Sequence, residues 1–121
     1  VVDRLPFAIQ PNPVMPVKRI WHGYTTPENA DAYQHTLFTS VIPGIEAKKI
    51  PGYRSIEVLR RDRGEEVEFI TMMTFDSLQN VIDFQGEDYE AAYVPAEAQR
   101  VLKRWDDRCA HYSVEGFRTG T

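Results

Sequence analysis

The stretch from Val67 to Phe75 is apolar on both of its faces. Val67, Phe69, Met73 and Phe75 fall on one side of a period-two pattern, and Ile70 and Met72 fall on the other. Such alternation predicts a β-strand. Apolar side chains on both sides require cover on both sides. One layer of helices supplies only half of it. The chain is therefore expected to form a sheet with helices on one face and a second body, most simply a second copy of itself, on the other.

The remaining elements assemble around that strand. Val17 to Tyr24 reads as the first strand, with Ile20, His22 and Tyr24 on one face and Arg19 and Trp21 on the other. Thr26 is a good N-cap and Pro27 suits a first helical position. Ala30, Tyr33, Leu37, Phe38 and Val41 then follow helical spacing, and Pro43-Gly44 is expected to end that helix. After an Ile50-Pro51-Gly52 turn, Tyr53 to Arg61 reads as the second strand. It places Ile56 and Val58 opposite Glu57 and Leu59, and Asp62 to Glu65 forms a hairpin loop. Asp76 with Gln79 suits a capping box for a helix carrying Leu78, Val81, Ile82 and Phe84, which Gly86 stops. A short turn around Tyr89 to Tyr93 follows. Pro95 opens a helical stretch with Ala98, Val101, Leu102 and Trp105 inward, and Cys109 to Glu115 reads as the last strand.

The order is strand, helix, strand, strand, helix, short helix, strand. That is the split βαβ pattern of a ferredoxin-like α+β fold, βαββαβ, with the first strand central in a four-stranded antiparallel sheet. Residues 17–115 form this one domain. Residues 1–16, with Pro6, Pro11, Pro13 and Pro16, read as an extended arm that is loose or embraces a partner subunit, and residues 116–121 as a patternless tail. The chain begins at Val1 rather than Met, so trimming of its N-terminus is expected.

Composition narrows the function classes. A formal net charge of -4 over 121 residues disfavours non-specific nucleic-acid binding. No apolar run approaches the ~20 residues of a membrane span. The single Cys109 excludes an internal disulfide and a cysteine-based zinc site, and points by default to the reducing cytoplasm. There is no glycine-rich phosphate loop, no Gly-x-Ser-x-Gly elbow and no paired-cysteine motif. His22, His35 and His111 lack the short spacing of zinc motifs, so no metal is expected.

An ordered set of short motifs lies on this topology: Arg19-Ile20-Trp21-His22-Gly23, Ile50-Pro51-Gly52-Tyr53, Val58-Leu59-Arg60-Arg61-Asp62, Glu68-Phe69, Phe75-Asp76-Ser77-Leu78, Phe84 with Gly86-Glu87-Asp88, and His111-Tyr112-Ser113-Val114. Over residues 17–115 the chain resembles the antibiotic biosynthesis monooxygenase-like family of the dimeric α+β barrel superfamily. The resemblance implies a homodimer. It also implies one of two chemistries: oxygenation of polycyclic phenols to quinones without a cofactor, or oxidative cleavage of haem. The haem-degrading relatives resemble a pattern of an Asn on the first strand, a Trp ending the third and a His on a later helix. This chain has Trp21 and His22, Phe75, and then Tyr89 and Tyr93 in those regions, so no haem-ligand role carries over.

The residues able to carry chemistry are few. His111 and His22 are the candidate proton acceptors, on strands expected to be neighbours that bring them near one another or a common pocket. Each also reads as a structural histidine bonded to backbone or a tyrosine. Trp21, Tyr24, Met72, Phe75, Tyr89 and Tyr93 are candidate substrate-lining residues, or plain packing, and Met73 belongs with them. Arg19 and Arg54 can steady an anionic substrate, whereas the charges around the hairpin read as a solvated face and Cys109 as a small buried residue. Alternation sets one limit: either His22 with Tyr24 or Trp21 with Arg19 lines a pocket under the helices, not both pairs. The leading expectation is a cofactor-independent monooxygenase acting on a small hydroxylated aromatic or enolisable substrate. A non-catalytic ligand-binding or stress-related barrel is the alternative, and a haem-binding protein the third.

Overall fold

A computed structural model describes residues 16–120. The arm expected over residues 1–16 lies outside the described residues except for Pro16, and so does Thr121 of the tail. Strand β1 (Val17–Thr25) pairs antiparallel along its whole length with β3 (Val67–Phe75), from Val17 opposite Phe75 to Thr25 opposite Val67. Strand β2 (Tyr53–Asp62) lies outside β3, with one register shift between Tyr53 and Ser55. On the other edge of β1 sit two short strands, β4 (Arg104–Trp105) beside Gly23 and Tyr24, and β5 (Ala110–Ser113) beside Val17 to Ile20. The sheet order is β2-β3-β1 followed by the β4/β5 edge, with β1 central as expected.

The first helical segment covers one face of this sheet. A short 3-10 turn (Pro27–Asn29), capped by the Thr26 side chain, leads into α1 (Ala30–Thr36). Pro43-Gly44 does not end the segment. It continues through a π-turn (Leu37–Val41) into α2 (Ile42–Ala47). Pro43 has no N–H to donate one turn back, and its ring crowds the preceding carbonyl. The hydrogen-bond ladder slips by one residue instead, so that the Ile42 N–H donates to the Leu37 carbonyl. The chain turns only at Lys49 (φ 52°) and Gly52 (φ 81°).

Helix α3 (Leu78–Gln85) is capped by Ser77 rather than Asp76, the Ser77 hydroxyl accepting from the Asn80 N–H. Asp76 instead accepts from Arg54 Nε at 2.8 Å, which leaves the adjacent hydroxyl to cap. Gly86 stops α3 as expected, at φ 101°. The helix after Pro95 is much shorter than its apolar spacing predicts, only α4 (Ala96–Gln99). Beyond it the edge of β1 needs donors, and the Lys103 and Asp106 N–H groups satisfy the Tyr24 and His22 carbonyls at 2.7 and 3.0 Å. Trp105 consequently lies on a strand and not on a helix, and the last strand contracts from the expected Cys109–Glu115 to Ala110–Ser113.

The core lies between sheet and helices. Tyr33, Phe69, Phe75 and Val81 are its largest fully buried apolar side chains, with Tyr33 edge-on to Phe69 at 4.8 Å. Burial alternates strictly along β3: Val67, Phe69, Thr71, Met73 and Phe75 are buried, and Glu68, Ile70, Met72 and Thr74 are half-buried. The second face is thus not enclosed within one chain. Ile20, Ile70 and Met72 share it with the exposed Leu59 and Tyr112.

Gly23 shows how closely β1 packs. A Cβ there would lie 2.6 Å from Trp21 Cη2 and 3.2 Å from Leu102 Cδ2. Both obstacles are buried, so the indole would have to leave its place. Gly23→Ala is expected to cost about 1–3 kcal/mol, the usual cost of overpacking. Denaturant titration followed by tryptophan emission measures this, and an unchanged midpoint and emission maximum would show that the strand yields freely.

Candidate functional site

A cavity opens between β1–β3 and the first helical segment. Its sheet wall is Trp21, Ile56, Thr71 and Met73, and its helix wall is Tyr33, Leu37, Val41 and Ile45. Phe84 and Tyr93 stand edge-to-face at 6.0 Å, with Lys48 Nζ 4.7 Å from the Tyr93 ring centre. The cavity volume is about 50 Å³, and the cavity opens to solvent. That volume is far below the roughly 300 Å³ of a small-molecule pocket, though larger than one water requires. An aromatic ligand would therefore sit partly in the outer concavity.

The polar end is built on Arg19. This residue is only 3% exposed, and its side chain follows the buried face of β1. Its guanidinium donates to the carbonyls of Tyr89 at 2.6 Å and Ala91 at 2.9 Å, and lies 3.0 Å from His111 Nε2. No ion pair forms between Arg19 and any carboxylate among the described residues. Burial lowers the Arg19 pKa, and the neighbouring Cys109 works against that shift. The same burial raises the Cys109 pKa, with Arg19 opposing. Cys109 therefore stays a thiol on the cavity wall.

The register explains His111. It pairs with Arg19 across β1 and β5, so both side chains point toward the helices. Arginine has no acceptor, so the imidazole Nε2 must accept and the neutral ring carries its proton on Nδ1. That Nδ1 is buried without a partner among the described residues. Burial, and then the Arg19 charge, lower the His111 pKa. The Tyr89 ring meets the imidazole edge-on at 5.2 Å.

The candidates from sequence therefore separate by face. Arg19, Trp21 and Tyr93 line the cavity, Met73 lines it in place of Met72, and His111 and Tyr89 reach it only through Arg19. Phe75 lies fully buried in the core, stacked 6.1 Å from Phe84, and does not line the cavity. His22, Tyr24 and Met72 sit on the other sheet face. There His22 Nδ1 pairs with Glu68 Oε2 at 2.9 Å, and Arg104 stacks 3.7 Å over Tyr24. His22 and His111 do not approach a common pocket, because one residue of parity on neighbouring strands sends their rings to opposite sides. Arg54 pairs with Asp76 on the surface.

The wall residues that the sequence did not single out include Ile45, Thr71 and Phe84. Ile45 was hidden by the expected helix stop at Pro43. Thr71 is the one polar position on the apolar face of β3, a gap that could have drawn attention. Phe84 was read as part of a helix stripe, although it meets the Arg19 guanidinium at 5.7 Å. Among the described residues no group of three or more His, Cys, Asp or Glu converges as a metal site, and no helix is long and apolar enough to cross a membrane.

No protein-family model matches the chain, and no curated protein matches it. Solved structures do. A Bacillus cereus protein described as an antibiotic biosynthesis monooxygenase superposes with a TM-score of 0.61 at 13% identity, over 88% of this chain and 99% of that one. A monooxygenase from the gene ActVA-Orf6 of Streptomyces coelicolor, solved with the ligand nanaomycin D, gives 0.55 at 14% identity, over 89% and 94%. A hydroxynitrile lyase from Passiflora edulis gives 0.52 at 14% identity, over 88% and 100%. The architecture is thus the ferredoxin-like α+β fold, and its structural neighbours include antibiotic biosynthesis monooxygenase proteins. At these identities the likeness defines the fold alone.

The His111 environment has a pH consequence. Its pKa is lowered in the folded state, so the unfolded chain takes up the proton first as pH falls. Stability from this residue is complete above the ordinary histidine pKa near 6.5 and declines as pH drops below it. His111→Gln, whose amide oxygen can accept from Arg19, is expected to show a shallower loss of thermal stability between about pH 6.5 and 5. Parallel melting curves for wild type and variant would refute this.

Proposed function

We propose that this chain is a cofactor-independent monooxygenase acting on a small hydroxylated aromatic or enolisable compound. One observation carries the reading: an apolar cavity ends on a buried arginine without a carboxylate partner among the described residues. The fold it shares with monooxygenases supports it. In such chemistry the ionised substrate itself reduces dioxygen. One oxygen atom enters the substrate as a new carbonyl, the other leaves as water with two substrate hydrogens, and the four electrons come from the substrate. The protein must exclude water, hold the oxyanion and take a proton.

Here Arg19 holds the substrate oxygen. Trp21, Met73, Phe84 and Tyr93 shape the apolar body of the site. His111 accepts the proton: when the guanidinium turns to the oxyanion, Nε2 loses its donor and becomes free to receive it. His22 is not part of this site, since it faces the other side of the sheet beside Glu68. Oxygen-electrode screening with hydroxynaphthalenes, anthrones and acidic enols is expected to show uptake of one O2 per quinone formed. His111→Gln should lower the rate at least tenfold. No uptake with any member of the panel would refute the activity.

The homodimer belongs to the same proposal. The half-exposed sheet face carrying Ile20, Leu59, Ile70, Met72 and Tyr112 is the surface a second copy would cover. Light scattering at micromolar concentration is expected to give twice the chain mass for wild type and the chain mass for Ile70→Glu. A monomeric wild type would remove this element. The reducing cytoplasm is the proposed compartment, on the evidence of a lone buried thiol.

A further inference from the structure

We infer that the cavity is an organic-anion site: it holds ligands as anions, an acidic oxygen at the end of an apolar body that either arrives ionised or loses its proton to His111 on binding, and Arg19 selects them over molecules of the same shape that cannot ionise. This rests on the reading of the cavity as a ligand site, but it needs no turnover. A guanidinium cannot shed its charge by losing a proton as a buried lysine can, because its pKa is too high. The 3%-exposed Arg19 therefore remains a cation removed from water. Two carbonyls and one imidazole nitrogen satisfy its hydrogen bonds without supplying negative charge. Leaving a buried charge uncompensated is costly, and an oxyanion brought within hydrogen-bond distance relieves that cost while gaining a charge-assisted bond.

The surroundings make the cavity the place where that anion must come. Arg19 lines the cavity; its guanidinium lies 5.7 Å from the Phe84 ring, itself part of the cavity wall, and is otherwise held by the Tyr89 and Ala91 carbonyls and His111. Thr71 adds a hydroxyl on the neighbouring strand, and the remaining wall is aromatic and aliphatic. A cavity of about 50 Å³ has room for an acidic head group but not for a ring system. The apolar body then lies outward against Phe84 and Tyr93, beside which Lys48 adds a second positive charge. Ligands of this kind include carboxylates and acidic enols. Those without an oxidisable carbon would occupy the site as inhibitors.

The test compares 2-naphthoate with the isosteric neutral 2-naphthamide by isothermal titration calorimetry at pH 7.5, using the intact chain. Wild type is expected to bind the carboxylate at least tenfold more tightly than the amide. Arg19→Gln should lose this preference, and Arg19→Lys should keep part of it, with an altered affinity because the ammonium lacks the planar fork. Equal binding of both probes by wild type, or tighter binding of the amide, overturns the anion assignment; the oxygenase reading then loses Arg19 as its oxyanion holder and is decided by oxygen uptake alone. Binding of neither probe overturns the cavity as a site for aromatic ligands, and both readings with it. A carboxylate preference that persists in a folded Arg19→Gln protein assigns the selection to Lys48 and overturns the role of Arg19.

Discussion

A single guanidinium joins three parts of the chain that are distant in sequence. Arg19 leaves the central strand, binds the carbonyls of the connection after α3, and meets the last strand at His111. That connection has little regular structure of its own. It is held by Ala92 N–H donating to Asp107, Cys109 N–H donating to Glu90, and a bridge between Ala91 and Arg108. Arg19 supplies the bonds that fix this strip against the sheet, and with it the far wall of the cavity. A hydrophobic residue at position 19 would leave two carbonyls unpaired beneath that strip. The same contact thus fixes the fold around the cavity and determines what charge the cavity presents.

The strands were legible because alternation is a property of the backbone: side chains must go to opposite faces whatever surrounds them. β3 came out with its expected bounds for that reason. Alternation does not say which face meets the helices. On β1, the pair Arg19 and Trp21 and the pair His22 and Tyr24 are chemically similar, an aromatic with a cationic or titratable group. A reader weighing charge would bury the histidine before the arginine. The structure does the reverse, because carbonyls from the connection after α3 are there to receive a guanidinium, and that connection has no periodic signal. The shortened helix after Pro95 was illegible for a related reason, since its end is set by unpaired carbonyls on β1 and not by its own residues.

The neighbouring structures carry a lesson about chemistry. A monooxygenase and a hydroxynitrile lyase share this architecture at almost the same similarity to the present chain. The layered sheet and helices provide a dry space, and the reaction is decided by the few polar groups that reach into it. In this chain those groups are a buried cation, a threonine hydroxyl, a protonated thiol and tyrosines. That set can stabilise negative charge on oxygen, and it contains neither an ionised nucleophile nor a cluster of metal ligands among the described residues.

The π-turn between α1 and α2 has a consequence for how such a chain can diverge. Each residue of an α-helix advances the side-chain direction by about 100° and the axis by about 1.5 Å. Removing one residue between positions 37 and 41 would close the widened turn. Ile42 and Ile45 would keep nearly their present directions, because the π-turn holds one residue more than an α-turn, but the Pro43 ring would be driven into the turn before it. The helix wall of the cavity is therefore specified by chain length as well as by side-chain identity. Substitutions in this wall can reshape the site gradually and the π-turn can lose its extra residue in place, whereas a deletion from a regular turn of α1 would rotate everything beyond it at once.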